Sequence, residues 1–141
     1  MKFIKQLILA LSFFSSFSNA ASIQDYINNT PGWSSEPKEI VYLTTRCAGI
    51  LQVTGEHRRV LGDDEFGPML LEKGQKLAVM SGTLALKEKI TLENIKDRTL
   101  FWMKRYAEDS KKNTDDFNNI FAGDYGEDFK FCNGLADTII K

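Results

Sequence analysis

Three groups of residues in this chain have types and spacing that could do chemistry. The first is His57 beside Arg58 and Arg59, with Asp63, Asp64 and Glu65 a few positions on. A general base, cations and carboxylates crowd together only there, as a hydrolase-type site would require if an acid lay within hydrogen-bond reach of His57. The segment lacks metal-ligand spacing. His57 is the single histidine, and neither DDEFGP nor DYGEDF alternates its acids before a sixth-place glycine as a calcium loop does. A balanced charge cluster of this kind is ordinarily a solvated loop.

The second group lies on two separate segments. Glu39, Tyr42 and Arg46 follow one another at steps of three and four, and Trp102 and Tyr106 sit at helical spacing in RTLFWMKRY. If these sides face each other, Arg46 meets Tyr106 or stacks on Trp102, and a polar-aromatic pocket results that suits an anion or a small ligand. Alternatively Trp102 and Tyr106 are core and Arg46 pairs with Glu39 at the surface. Helically spaced aromatic residues are most often packing, which favours the second arrangement.

The third group is the chain's two cysteines, Cys47 and Cys132. Cys47 belongs to an apolar helical face with Ile40, Leu43, Thr44, Leu51 and Thr54, and Cys132 to one with Tyr125, Phe129, Ala136 and Ile139. Both sulfurs therefore point inward if the first long helix packs on the last. A thiol nucleophile would need an exposed, electropositive setting and a base, and no C-x-x-C or C-x-x-C-H is present. An even number of cysteines in an exported chain favours pairing. A disulfide between Cys47 and Cys132 is the expected outcome, stabilising by about 4–5 kcal/mol in the chain-entropy treatment.

Other catalytic patterns are missing. VMSGTL has the serine and following glycine of G-x-S-x-G but not the preceding glycine, and neither a phosphate-binding G-x-x-x-x-G-K-[ST] nor H-E-x-x-H occurs. No catalytic residue, cofactor or metal ligand is assigned. The only positions set aside as a ligand or partner site are Tyr42, Arg46, His57, Trp102 and Tyr106.

The elements that must position these residues read as helices. Ser22 caps a short helix or extended lead-in with Ile23, Tyr26 and Ile27, which NTPGW ends. SSEPKE starts the first long helix, expected from Glu36 to Val53 or Thr54, with Gly55 placed to end it. GEHRRVLGDDEFGP is the least helical stretch. A second helix runs from Pro68 to about Lys89 with Leu70, Leu77, Met80 and Leu84 on one face, weakened at Gly74 and Gly82 and open to a break near Ser81. Thr91 caps a third with Leu92, Ile95, Thr99, Trp102 and Tyr106, and Asn113 or Thr114 offers a fresh start after it. The last is expected over Glu127 to Ile140. Strand signals are nearly absent. The fold class is all-α, a small bundle-like or orthogonal packing of about four main helices in one domain, its first and last helices joined by the disulfide.

The N-terminal segment carries the layout of a secretory signal: Lys2 and Lys5, an apolar run from Leu7 to Phe17, then Ser18 and Ala20. The run is roughly half the ~20 residues a membrane span needs. Cleavage near Ala20 would leave residues 21–141 as one helical domain with no membrane anchor, periplasmic or secreted. Without Lys2 and Lys5 the formal charge moves from -1 to about -3, with 16 bases against 19 acids. A mildly acidic domain has no concentrated cations for phosphate backbones, so nucleic acid is not an expected partner.

Three functional classes fit. The first is a cell-envelope protein-interaction or accessory module, of the inhibitor or immunity kind, whose partner is another envelope protein. The second is a carrier holding a small apolar ligand in its aromatic-rich core. The third is a hydrolase-type enzyme centred on His57. The missing motifs place enzymes last, and the first class asks least beyond a stable scaffold with a shaped surface.

Overall fold

The computed structural model describes residues 21–140; the expected signal segment, 1–20, lies outside the described residues. Five α-helices and one 3-10 turn follow one another: α1 (Ile23–Asn29), the 3-10 turn (Trp33–Ser35), α2 (Pro37–Val60), α3 (Phe66–Lys87), α4 (Leu92–Phe117) and α5 (Asp124–Ile139). No strand occurs among the described residues. The fold is all-α as expected, with four long helices and the short α1 ahead of them. The disulfide therefore joins the second and the last helix rather than the first and the last.

Local chemistry starts these helices where the sequence indicates. Ser22 Oγ accepts from the Asp25 amide at 3.1 Å, and Thr91 Oγ1 accepts from the Asn94 amide at 3.1 Å, each satisfying one unpaired donor of a first turn. Pro37 opens α2, where its missing N–H costs nothing. Ser34 and Ser35 belong to the preceding 3-10 turn, so Glu36 rather than a serine flanks the helix, and its side chain makes no capping bond.

α2 is the central element. From Leu43 to Leu51 every residue is buried, as in a helix surrounded by neighbours, and α2 packs against α3, α4, α5 and the 3-10 turn. The main core takes Leu43, Cys47, Ile50 and Leu51 from α2, with Leu70 and Leu77 of α3, Trp102 and Tyr106 of α4, and Tyr125 and Cys132 of α5. Cys47 and Cys132 are bonded through their sulfurs at 2.05 Å with Cα atoms 4.9 Å apart, and both are fully buried. This is the expected staple across 85 residues of sequence.

Gly55 does not end α2, which continues through Gly55–Val60 to Leu61. A Cβ on Gly55 would lie 2.9 Å from the Gly67 carbonyl oxygen, and one on Gly67 would lie 2.8 Å from the Arg59 backbone nitrogen. These two glycines let the backbones of α2 and α3 touch, and the turn itself falls to Gly62, whose φ is 85°. The glycines of α3 are likewise not weak points. Gly67, Leu70, Gly74, Leu77, Ser81 and Ala85 form its buried stripe at steps of three and four, and the helix shows no break at Ser81, which donates to the Thr44 hydroxyl at 2.6 Å and to the Leu77 carbonyl at 2.8 Å.

α4 also runs on past the expected restart. The Asn113 side-chain amide donates to the carbonyls of Ile120 and Ala122, both at 2.9 Å, and so fastens the turn after the helix instead of starting a new one. The helix ends at Asn118 in the left-handed region, φ 50°, a conformation asparagine tolerates. α5 starts three residues earlier than expected, at Asp124.

Candidate functional site

The buried centre of the molecule is built around Arg46. Its position on α2 faces Trp102 and Tyr106 of α4, as the first sequence alternative required, and it pairs with Asp128 of α5 rather than with Glu39. Arg46 Nη2 lies 2.7 Å from Asp128 Oδ2, with both side chains only 3 % exposed. Nε donates to the Tyr106 hydroxyl at 2.7 Å, Nη1 to the Tyr42 hydroxyl at 3.2 Å and Nη2 also to the Ala21 carbonyl at 2.8 Å. The guanidinium lies over the Trp102 ring, 4.4 Å from its centroid. Tyr106 in turn donates to Asp128 Oδ2 at 2.6 Å, and the other carboxylate oxygen accepts from the Ile23 amide at 2.7 Å. Glu39 takes its hydrogen bond from the Tyr26 hydroxyl instead.

The electrostatics follow from this closure. Burial acts to strip the proton from Arg46, but Tyr106, Asp128 and Tyr42 outweigh it and hold the guanidinium above its ordinary range. Burial pushes the Tyr106 phenol well up, with the Asp128 carboxylate adding to the effect against the opposing pull of Arg46. Burial likewise raises Tyr125 to about 12, and its hydroxyl shares a hydrogen with Thr54 Oγ1 at 2.8 Å. Each donor nitrogen of Arg46 has an acceptor, and Asp128 balances its charge within the protein. A buried ion pair hydrogen-bonded in this way has the character of a structural joint, and this one ties α2, α4, α5 and the backbone of residues 21–23 together.

The aromatic residues close on one another around that joint. Trp102 meets Tyr42 with ring centroids 5.8 Å apart, Tyr106 meets Tyr125 at 5.6 Å, and Phe121 meets Phe129 at 5.0 Å. A polar cleft of about 490 Å³ opens between α4, the start of α5 and the N-terminal segment; Arg46, Trp102, Tyr106 and Asp128 of the joint line it together with Arg105, Asp109, Lys112 and Asp124. Burial raises the Asp109 carboxyl, opposed by Arg105, which lies 3.6 Å away.

His57 is not brought to this centre. It sits half-buried in the last turn of α2, and two of the neighbouring acids, Glu56 and Asp63, are engaged elsewhere. Glu56 pairs with Arg59 at 2.6 Å. Asp63 pairs with Arg58 at 3.0 Å and accepts from the Phe66 amide at 2.8 Å, the amide being the main reason its carboxyl titrates below the usual range. The cluster closes the α2–α3 corner and gives His57 no acid partner. No set of three or more metal-binding side chains gathers among the described residues.

The surface that sequence reasoning missed lies between the outer sides of α3 and α4. A groove of about 570 Å³ is lined by Val79 and Leu86 of α3 and by Leu92 and Leu100 of α4, with Ile95 in its floor. Val79, Leu86 and Leu92 keep 58–68 % of their surface in contact with solvent. Of the residues at helical spacing on α4, Ile95, Trp102 and Tyr106 are buried, whereas Leu92 rests beside Gly82 at the groove. Lys96 is the single charged side chain lining the groove. The signal in the sequence is a second apolar stripe on each helix, Val79 and Leu86 two turns apart on α3 and Leu92 and Leu100 on α4, off the faces that bury Leu77 and Trp102. No protein-family model matches the chain, no curated protein matches its sequence and no solved structure matches its fold.

Proposed function

We propose that this protein is an exported cell-envelope interaction or accessory module, of the inhibitor or immunity kind, and that the groove between α3 and α4 is its working surface. One observation carries this: an apolar groove with a single charged side chain in its lining stays exposed between α3 and α4. Exposed apolar surface of that kind, set among polar residues, marks interaction sites. The buried disulfide supports a location in an oxidising compartment, periplasmic or secreted, as does the signal-like segment ahead of Ala21. Among the described residues no helix is long and apolar enough to cross a membrane.

Crosslinking in intact source cells tests the reading, comparing the wild type with the double variant Val79→Asp/Leu86→Asp. A discrete adduct with the wild type that the variant loses is the expected result; an adduct that the variant keeps would refute the groove as the working surface. Intact mass of the same recovered protein should show cleavage near Ala20 and a shift of about two daltons on reduction. An uncleaved chain with free thiols would contradict export.

A further inference from the structure

We infer that the occupant of the α3–α4 groove is an amphipathic helix of a partner protein, about three turns long, with a carboxylate at its middle facing Lys96. This rests on the groove being the working surface and adds the chemistry of what it receives. The lining of α3 extends from Gln75 to Leu86, about 16 Å at the rise of an α-helix. A trough of that length between two helices accepts a third helix through anchors spaced i, i+3 or i+4, and i+7. An extended strand gains its affinity by pairing with an open sheet edge, and two helices offer none.

Charge selects among helical occupants. Lys96 lies midway between Leu92 and Leu100 on α4, exposed, with no ion pair to it among the described residues. A second copy docking by the same face about a two-fold axis would bring Lys96 toward its own counterpart across an apolar contact. Like charges so placed oppose association, whereas a partner carboxylate at that point complements it.

The probe is a phage-displayed library of 16-residue helical peptides selected on the full chain. Clones retained by the wild type and lost by Val79→Asp/Leu86→Asp should carry the i, i+3/i+4, i+7 apolar pattern with Asp or Glu at the middle. Selection on Lys96→Glu should replace that acid with Lys or Arg. The best peptide, synthesised with a fluorophore, should bind Lys96→Glu at least about fivefold more weakly, as for one partly exposed charge pair. Retained clones with no acidic preference, a preference unmoved by Lys96→Glu, or no groove-dependent clones would overturn the inference. So would sedimentation showing a dimer that Val79→Asp/Leu86→Asp converts to monomer, or groove-dependent cosedimentation with phosphatidylglycerol vesicles. If the peptides fail while the cellular adduct remains groove-dependent, the helical partner is refuted and the interaction module stands; if both fail, both fall.

Discussion

The Arg46 centre and the α3–α4 groove are opposite solutions to the same problem of uncovered chemistry. At the centre, a guanidinium and a carboxylate that would be costly to bury alone are enclosed with their hydrogen bonds made, and rings of Tyr42, Trp102, Tyr106 and Tyr125 fill the space around them. At the groove, apolar side chains that could have been covered remain in water. Interaction energy at the first place is already used within the molecule. At the second it is still available to a partner, so on the proposed reading the residues with the most suggestive chemistry hold helices together and those with the least face the partner.

The largest expected effects break the centre and leave the groove alone. Cys47→Ser should lower the stability of the oxidised protein by about 4–5 kcal/mol, since the bond closes a loop of 85 residues; under reducing conditions the two proteins should have nearly equal denaturant midpoints. Asp128→Ala strands a buried guanidinium and should cost about 3–5 kcal/mol. Combining it with Arg46→Met should cost less than the two single changes together, because neither charge is then left unpaired. Additivity in that double-mutant cycle would show that the pair is not the joint described above.

Tyrosine ionisation offers a pH test of the same region. Tyr125 titrates near 10 when unfolded and at about 12 in the fold, and burial raises Tyr106 in the same direction. A raised folded pKa means that the stabilising contribution is complete below pH 10 and is lost as pH rises from 10 through 12. Tyr125 alone should then remove about 2–3 kcal/mol. Urea midpoints that stay constant from pH 9 to 12 would contradict the burial of these phenols. Gly67→Ala should cost about 1–3 kcal/mol, because its Cβ would press on the Arg59 backbone, which cannot swing aside as a side chain would.

The smallest expected effect on stability sharpens the contrast most. Val79→Asp and Leu86→Asp lie on exposed positions and should each change the unfolding free energy by no more than about 0.5 kcal/mol, while abolishing the partner adduct. A variant that lost the adduct by unfolding would show it in its melting curve.

Much of the scaffold was legible from spacing. Cys47 and Cys132 each repeat with apolar neighbours at helical intervals, and that pattern alone turns both sulfurs inward. Ser22 and Thr91 cap as their positions indicate. What escaped depends on partners distant in sequence. Asp128, with Glu127 before it and Lys130 two positions on in GEDFKF, looks like any exposed helical acid until α5 is laid beside Arg46. Gly55 looks like a helix stop because glycine often is one, and only the approach of Gly67 shows that it is a contact point. The candidate set was split in the same way. Tyr42, Arg46, Trp102 and Tyr106 do meet, but around an internal counter-ion, while His57 stays apart at the α2–α3 corner. The groove was hidden because an apolar residue off the main stripe is individually unremarked, and its significance lies in the matching residues of the neighbouring helix.

Site-resolved photocrosslinking in source cells tests most directly whether function resides at the groove and not at the charged centre. A photoreactive residue would replace Leu100 at the groove in one strain and Lys112 at the mouth of the polar cleft beside the Arg46 joint in another. A discrete protein adduct from position 100, absent from position 112 and lost when Val79→Asp is added, is the predicted result. Adducts from position 112 with none from position 100 would contradict the account and return the polar cleft to the centre of the question.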